Sequence, residues 1–143
     1  MTRTDSPLPR LKSIVEAGPR SAWLCDVWGV LHDGVAAFPE AIEACSIFRR
    51  GGGTIVLVSN SPNPASVVLR HLRALGVGSE CFDAIVTSGD VTRSLISNFP
   101  GRRIFHLGPS RDRHFFDGLD VRFAPPSEAE VIVCTGLVRE ETE

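Results

Sequence analysis

Short runs of unbroken apolar residues alternate along this chain with stretches in which apolar residues recur every three or four positions. "SAWLCDVWG" (21–29) reads as a strand. "FPEAIEACSIFRR" (38–50) reads as a helix, since Pro39 suits a first turn and Ala41, Ala44, Cys45 and Phe48 fall on one face. Gly51 to Gly53 end it. "TIVLVSN" (54–60) has the continuous, β-branched apolarity of a strand covered on both faces. A second helix is expected in "SPNPASVVLRHLRALGV" (61–77). Asn63 is its expected N-cap, Pro64 its first residue, Gly76 its stop, and Ala65, Val68, Leu72 and Leu75 its buried stripe. "FDAIVTSG" (82–89) and "DVTRSLISNF" (90–99) supply a third strand and a third helix. Such alternation predicts an α/β fold of right-handed βαβ units around a parallel sheet.

After Pro100-Gly101 the texture changes. "RRIFHLG" (102–108), "DVRFAPP" (120–126) and "AEVIVCTGL" (129–137) are strand-like, with "SRDRHFFDGL" (110–119) a short helix or loop between the first two. A second α/β layer opens here. Residues 1–20 form a lead-in, 21–100 a first domain region and 101–143 the beginning of another.

Composition narrows the function. Of 143 residues, 43% are hydrophobic and 22% charged, which is ordinary for a globular chain with its own core. A net charge of −2 argues against electrostatic capture of nucleic acid or an anionic membrane. No apolar run approaches the roughly 18 residues of a spanning helix, and the N-terminus lacks a signal-type segment, so a cytoplasmic location is expected. Cys25, Cys45, Cys81 and Cys134 show no zinc spacing and are expected to be buried free thiols. The only lysine is Lys12.

In open parallel sheets, ligands bind beyond the C-terminal ends of the strands. Three of the expected strands end in polar residues: Asp26, Ser59-Asn60 and Thr87-Ser88. If the first two strands are neighbours, Asp26 and Ser59 converge in one crevice. A carboxylate there can hold Mg²⁺ or attack an electrophile, and a hydroxyl followed by backbone N–H groups can hold a phosphate oxygen. The alternative is that both side chains only cap turns.

"DVWGVLHDG" (26–34), followed by "TIVLVSNSPNPASVVLRHLRALGV" and "AIVTSGDVTRSLI", resembles the haloacid dehalogenase superfamily. Within it the likeness is to the class IIA, NagD-like sugar and nucleotide phosphatases, in a bacterial subgroup with a DVWGV-type first motif. The resemblance covers residues 20–143 and implies a partial Rossmann-like parallel core, followed by the start of an α/β cap of the C2 type. It implies that Asp26 is the nucleophile that becomes an aspartyl phosphate, and also a Mg²⁺ ligand. The Trp28 backbone carbonyl would be a second ligand. Ser59, with Asn60 beside it, would bind the transferring phosphoryl group. Gly29 to Gly34 would form a flap, with Gly29 and His32 toward the substrate. That substrate would be a small phosphorylated metabolite, with no nucleic-acid or membrane partner.

The sequence departs from this pattern twice. Two residues after the nucleophile the family usually has a second Asp, the general acid; here it is Trp28, with His32 or Asp33 on the flap as stand-ins. The bland reading of that segment is a turn stabilised by its Asp-Gly pair. The family's later lysine and acidic pair also have no counterpart, because Lys12 precedes Asp26, and Gly89-Asp90 falls before the cap at a helix start, where an Asp is structural. The expected protein is thus a truncated phosphatase, impaired or inactive, with Mg²⁺ weak or absent. The alternative is a catalytically silent remnant that binds phosphate or a protein. A receiver-like phosphoacceptor is disfavoured, since flap and cap-like strands have no place in one. A half-sheet would leave an exposed edge and a bare apolar face, so self-association is expected. Trp23 should be core, His71 and His114 exposed, and His106 and Arg111 are the cap residues that could touch substrate.

Overall fold

A computed structural model describes residues 22–136; the expected lead-in, with Lys12, and residues 137–143 lie outside them. The described residues form two compact units, one of 22–59 and 66–86, the other of 60–65 and 87–136.

The first unit holds β1 (Ala22–Asp26), α1 (Pro39–Arg50), β2 (Thr54–Ser59), nearly all of α2 (Ala65–Ala74) and most of β3 (Ala84–Thr87). The strands form one sheet in the order β1-β2-β3. β1 and β2 run parallel, with Ala22 opposite Thr54 and Asp26 opposite Val58. Strand alternation sends Ile55 and Leu57 to one face, where both are fully buried. They join Cys45 and Phe48 of α1 and Val68 and Leu72 of α2 in a single cluster. Trp23, as expected, packs on this core, its ring stacked 3.9 Å from that of Phe48.

The opposite face is bare. Leu24 is 78% exposed, and Val58 and Val86 are also exposed. The expectation that "TIVLVSN" is covered on both faces is therefore not met among the described residues. Continuous apolarity fits either arrangement, and only tertiary packing decides which face is covered.

Arg49 closes the last turn of α1 by reaching to Asp83 just before β3 (Nη2 to Oδ1 2.6 Å, Nε to Oδ2 3.1 Å) and to the Ser79 carbonyl (2.7 Å). Asp83 Oδ2 also accepts the N–H of Ile55 (2.8 Å). Gly76 stops α2 as expected, at φ +86°, a left-handed conformation that glycine adopts without strain.

The second unit holds α3 (Ser88–Ser97), β4 (Arg102–Leu107), a 3₁₀ helix (Ser110–Phe116), β5 (Val121–Phe123) and β6 (Val131–Cys134). Its sheet has the order β5-β4-β6, and both pairings are parallel. Ile96, Ile104, Phe115, Phe116 and Val133 make its core. Arg93 of α3 holds the 3₁₀ helix by donating to the carbonyls of Phe115 and Asp117.

One capping expectation is corrected here. The helix after β2 begins at Ala65, and its first N–H donates not to Asn63 but to Asp90 Oδ2 (2.8 Å). Proline at 64 has no N–H to cap, so the exposed donor is that of Ala65. Asp90 also accepts the Thr87 hydroxyl (3.1 Å), while its own N–H donates to Thr87 Oγ1 (3.0 Å) at the N-terminus of α3. Asp90 is structural, as its position predicts. No helix among the described residues is long and apolar enough to cross a membrane.

Candidate functional site

Asp26 is the last residue of β1 and lies opposite Val58; Ser59 follows Val58 as the last residue of β2. Both therefore sit at the C-terminal edge of adjacent parallel strands, with Cα atoms roughly 6 Å apart from strand spacing and rise. Asp26 is exposed, and its Oδ1 accepts the N–H of Val27 (2.6 Å), which fixes the carboxylate at the turn out of β1. It lines a groove of about 520 Å³ beside β1, together with Leu24, Cys25, Val30, Glu40 and Cys45. Ser59 is half-buried.

The segment after Asp26 is a compact turn. Val27 and Leu31 drop into the core and anchor it. The N–H of Leu31 donates to the Val27 carbonyl (2.9 Å) and that of Phe38 to the Leu31 carbonyl (2.8 Å). The Trp28 indole, 65% exposed, lies over Gly34, where a Cβ would stand 2.3 Å from the ring. Gly34 has φ +95°, so both the close ring and the backbone require glycine.

Gly29 and His32, the expected substrate contacts on the flap, both make bonds within the turn. The N–H of Gly29 donates to the His32 carbonyl (2.8 Å) within the flap. The His32 ring is 3% exposed, its Nδ1 accepts the N–H of Gly34 (2.9 Å), and it meets the rings of Trp28 and His71 edge-on, each at 5.3 Å. Burial, with the neighbouring His71 second, holds its pKa below the usual imidazole range. An apolar neighbourhood and a local acceptor role keep this imidazole neutral and inside the turn.

Asp33, the other expected stand-in, is engaged in the turn. Its Oδ1 accepts the N–H groups of Val35 and Ala36 (2.8 Å each), and these bonds hold the carboxyl below its usual range.

Asn60 belongs to the second compact unit, where its Oδ1 accepts the Ser88 hydroxyl (3.2 Å). The two line a cavity of about 240 Å³ with Thr92 and Thr135. Ser88, Thr92 and Thr135 are polar lining residues that sequence reasoning did not assign; Ser88 alone carried a signal, as part of a polar strand end. His106, a candidate contact, lies with its Nε2 2.8 Å from Thr135 Oγ1, and burial holds its pKa below the imidazole range. Arg111 is exposed, as are His71 and His114. Among the described residues no three His, Cys, Asp or Glu side chains converge to share a metal ion.

A parallel α/β unit with a carboxylate and a hydroxyl at one strand edge has the arrangement in which open α/β sheets bind ligands. A family model described as haloacid dehalogenase-like hydrolase matches residues 23–122, and the chain belongs to that family. Among solved structures, it is similar to a haloacid dehalogenase-like hydrolase from Brucella suis 1330, at 45% identity and TM-score 0.78, over 93% of this chain and 50% of that one. NagD from E. coli K-12 shares the fold at 21% identity and TM-score 0.55, over 82% of this chain and 46% of that one. So does a glycerol phosphate phosphatase from Mycobacterium tuberculosis solved with magnesium, at 20% identity and TM-score 0.57, over 87% and 38%. The chain spans half or less of the length of these relatives. Comparison with curated proteins gives no match.

Proposed function

We propose that this chain carries the nucleophile-bearing part of a phosphoric monoester hydrolase acting on a small phosphorylated metabolite. The observation that supports it is the shared edge of Asp26 and Ser59 on adjacent parallel strands. In this reading the Asp26 oxygen not held by Val27 attacks phosphorus in line. A bond from that oxygen to phosphorus forms as the ester P–O bond breaks, and the departing alkoxide takes a proton from water. Water then hydrolyses the aspartyl phosphate, freeing inorganic phosphate and regenerating the carboxylate. The Ser59 hydroxyl donates to an equatorial phosphoryl oxygen, where charge is spread in the transition state.

The Asp26 carboxylate and the Trp28 carbonyl are hard oxygen donors of the kind Mg²⁺ takes, the remainder of its shell being water and substrate phosphate. When bound, Mg²⁺ would offset the repulsion between two anions. With one carboxylate contributed from this site, its hold is weak. A fold relative solved with magnesium and also with calcium supports a divalent cation here. Gly29 and His32 act in this reading by shaping the flap, and Asn60 by lining its own cavity with Ser88.

Trp28 stands where an acid would protonate the leaving oxygen. A positioned acid is worth about 10²–10⁴ in rate, and poor leaving groups need it most. The test therefore uses p-nitrophenyl phosphate, whose leaving group departs unprotonated. Slow, Mg²⁺-dependent release of p-nitrophenolate is expected from the chain and none from Asp26→Asn. Equal rates from the two would overturn this reading and leave the catalytically silent, phosphate- or protein-binding alternative.

A further inference from the structure

Three of the four cysteines meet in the first unit, and the proposed phosphatase chemistry uses none of them. Cys25 is on β1, Cys45 on α1 and Cys81 in a 3₁₀ turn at 79–81. Cys45 and Cys81 are buried, whereas Cys25 is half-buried. Cys25 packs against the core cluster that contains Cys45, and both line the groove beside β1. Cys25 Sγ also lies 3.3 Å from the carbonyl oxygen of Asp26. Cys81 is fully buried, outside that groove's lining, with its sulfur 3.7 Å from Ser46 Oγ. The geometry separates one reachable thiol with an adjacent partner from one enclosed thiol. Cys134 is exposed in the second unit.

We propose that Cys25 and Cys45 form a peroxide-sensitive thiol pair, convertible to a disulfide that ties β1 to α1 one residue before Asp26. The oxidant is hydrogen peroxide or another hydroperoxide, entering through the groove. The Cys25 sulfur attacks one peroxide oxygen and the O–O bond breaks, giving a sulfenic acid and one water. Cys45 sulfur then attacks the Cys25 sulfur, the S–O bond breaks, and a second water leaves. Two thiols are oxidised by two electrons, and one peroxide is reduced to two waters. Because both sulfurs belong to one groove of one chain, the second step is intramolecular, so the sulfenic acid is captured before further oxidation. The inference does not depend on phosphatase activity, because its readout is the covalent state of the sulfurs.

The test treats the reduced, folded chain with hydrogen peroxide, blocks remaining thiols with N-ethylmaleimide and maps the peptides. Cys25 and Cys45 lie on one tryptic peptide, residues 21–49, because no Lys or Arg separates them. That peptide is expected to lose two hydrogens and take no maleimide, and to take two after treatment with dithiothreitol. Cleavage after Glu40 or Glu43 should yield two fragments joined by the bridge. In Cys45→Ser, and in Cys45→Ala as a second core-compatible variant, Cys25 should instead be trapped by dimedone as a sulfenic acid. A peptide that keeps both free thiols overturns the proposal. So does a bridge to Cys81 or Cys134, or a folded Cys45 variant with no dimedone adduct at Cys25.

Discussion

At the residue scale, the carboxylates of this chain are sorted by what surrounds them. Asp26 ends a strand with one oxygen held by its own turn, while Asp33 and Asp83 are held by several donors. The Arg49 side chain first, and the Ile55 N–H second, hold Asp83 below the usual carboxylate range. An acid whose pKa is depressed by folding adds stability above its unfolded value, and that stability is lost as pH falls through the folded value. The urea midpoint should therefore fall further in the wild type than in Asp83→Asn between neutrality and about pH 3. Trp28 makes a second residue-scale case. Its exposed indole leans on Gly34 and carries no carboxyl group. Trp28→Asp should raise hydrolysis of an alkyl phosphate by about tenfold or more relative to p-nitrophenyl phosphate. An unchanged ratio would show that this position does not face the leaving group. Asp26 and Ser59 were legible in the sequence because strand ends are marked by a switch from apolar to polar. The inward turn of His32 was not, since it follows from the Trp28 and His71 rings meeting it in space.

At the element scale, strands and helices follow the apolar pattern closely, and their joints do not. Pro39, Gly76 and the Ala44-Cys45-Phe48 face all act where local chemistry places them. The start of α2 is different, because its cap comes from Asp90, far along the chain. Pro-Asn-Pro resembles a local cap, and no rule of local spacing reveals a carboxylate arriving from the next helix. Asp90→Ala removes acceptors at the starts of both α2 and α3, and should cost about 1–2 kcal/mol in urea unfolding. Gly89 shows the same joint from the steric side. A Cβ there would lie 2.2 Å from the Pro62 carbonyl oxygen, so Gly89→Ala should cost roughly 1–3 kcal/mol by overpacking. The glycine beside a would-be acidic motif is thus explained by close backbone approach.

At the scale of the whole molecule, the apolar surface left uncovered is large. Leu24 and Val58 in one unit, and Leu95, Phe99 and Ile132 in the other, are exposed. β1 and β6 each end their sheets with no further strand among the described residues. We propose that these surfaces make the isolated chain self-associate. Its weight-average mass in sedimentation equilibrium should rise with concentration, and Leu24→Lys should reduce the rise. A constant monomer mass would count against this. A parallel sheet was implied by βαβ alternation, but neither its strand order nor how many strands flank β1 was, because a parallel strand reads the same at an edge as at a centre. The two tryptophans give the molecule an optical property of its own. Trp23 is stacked on Phe48, while Trp28 is exposed two residues beyond Asp26. Replacing Trp23 by Phe would leave a single fluorophore two residues from Asp26, so that arrival of an anion there could be followed by emitted light without any turnover.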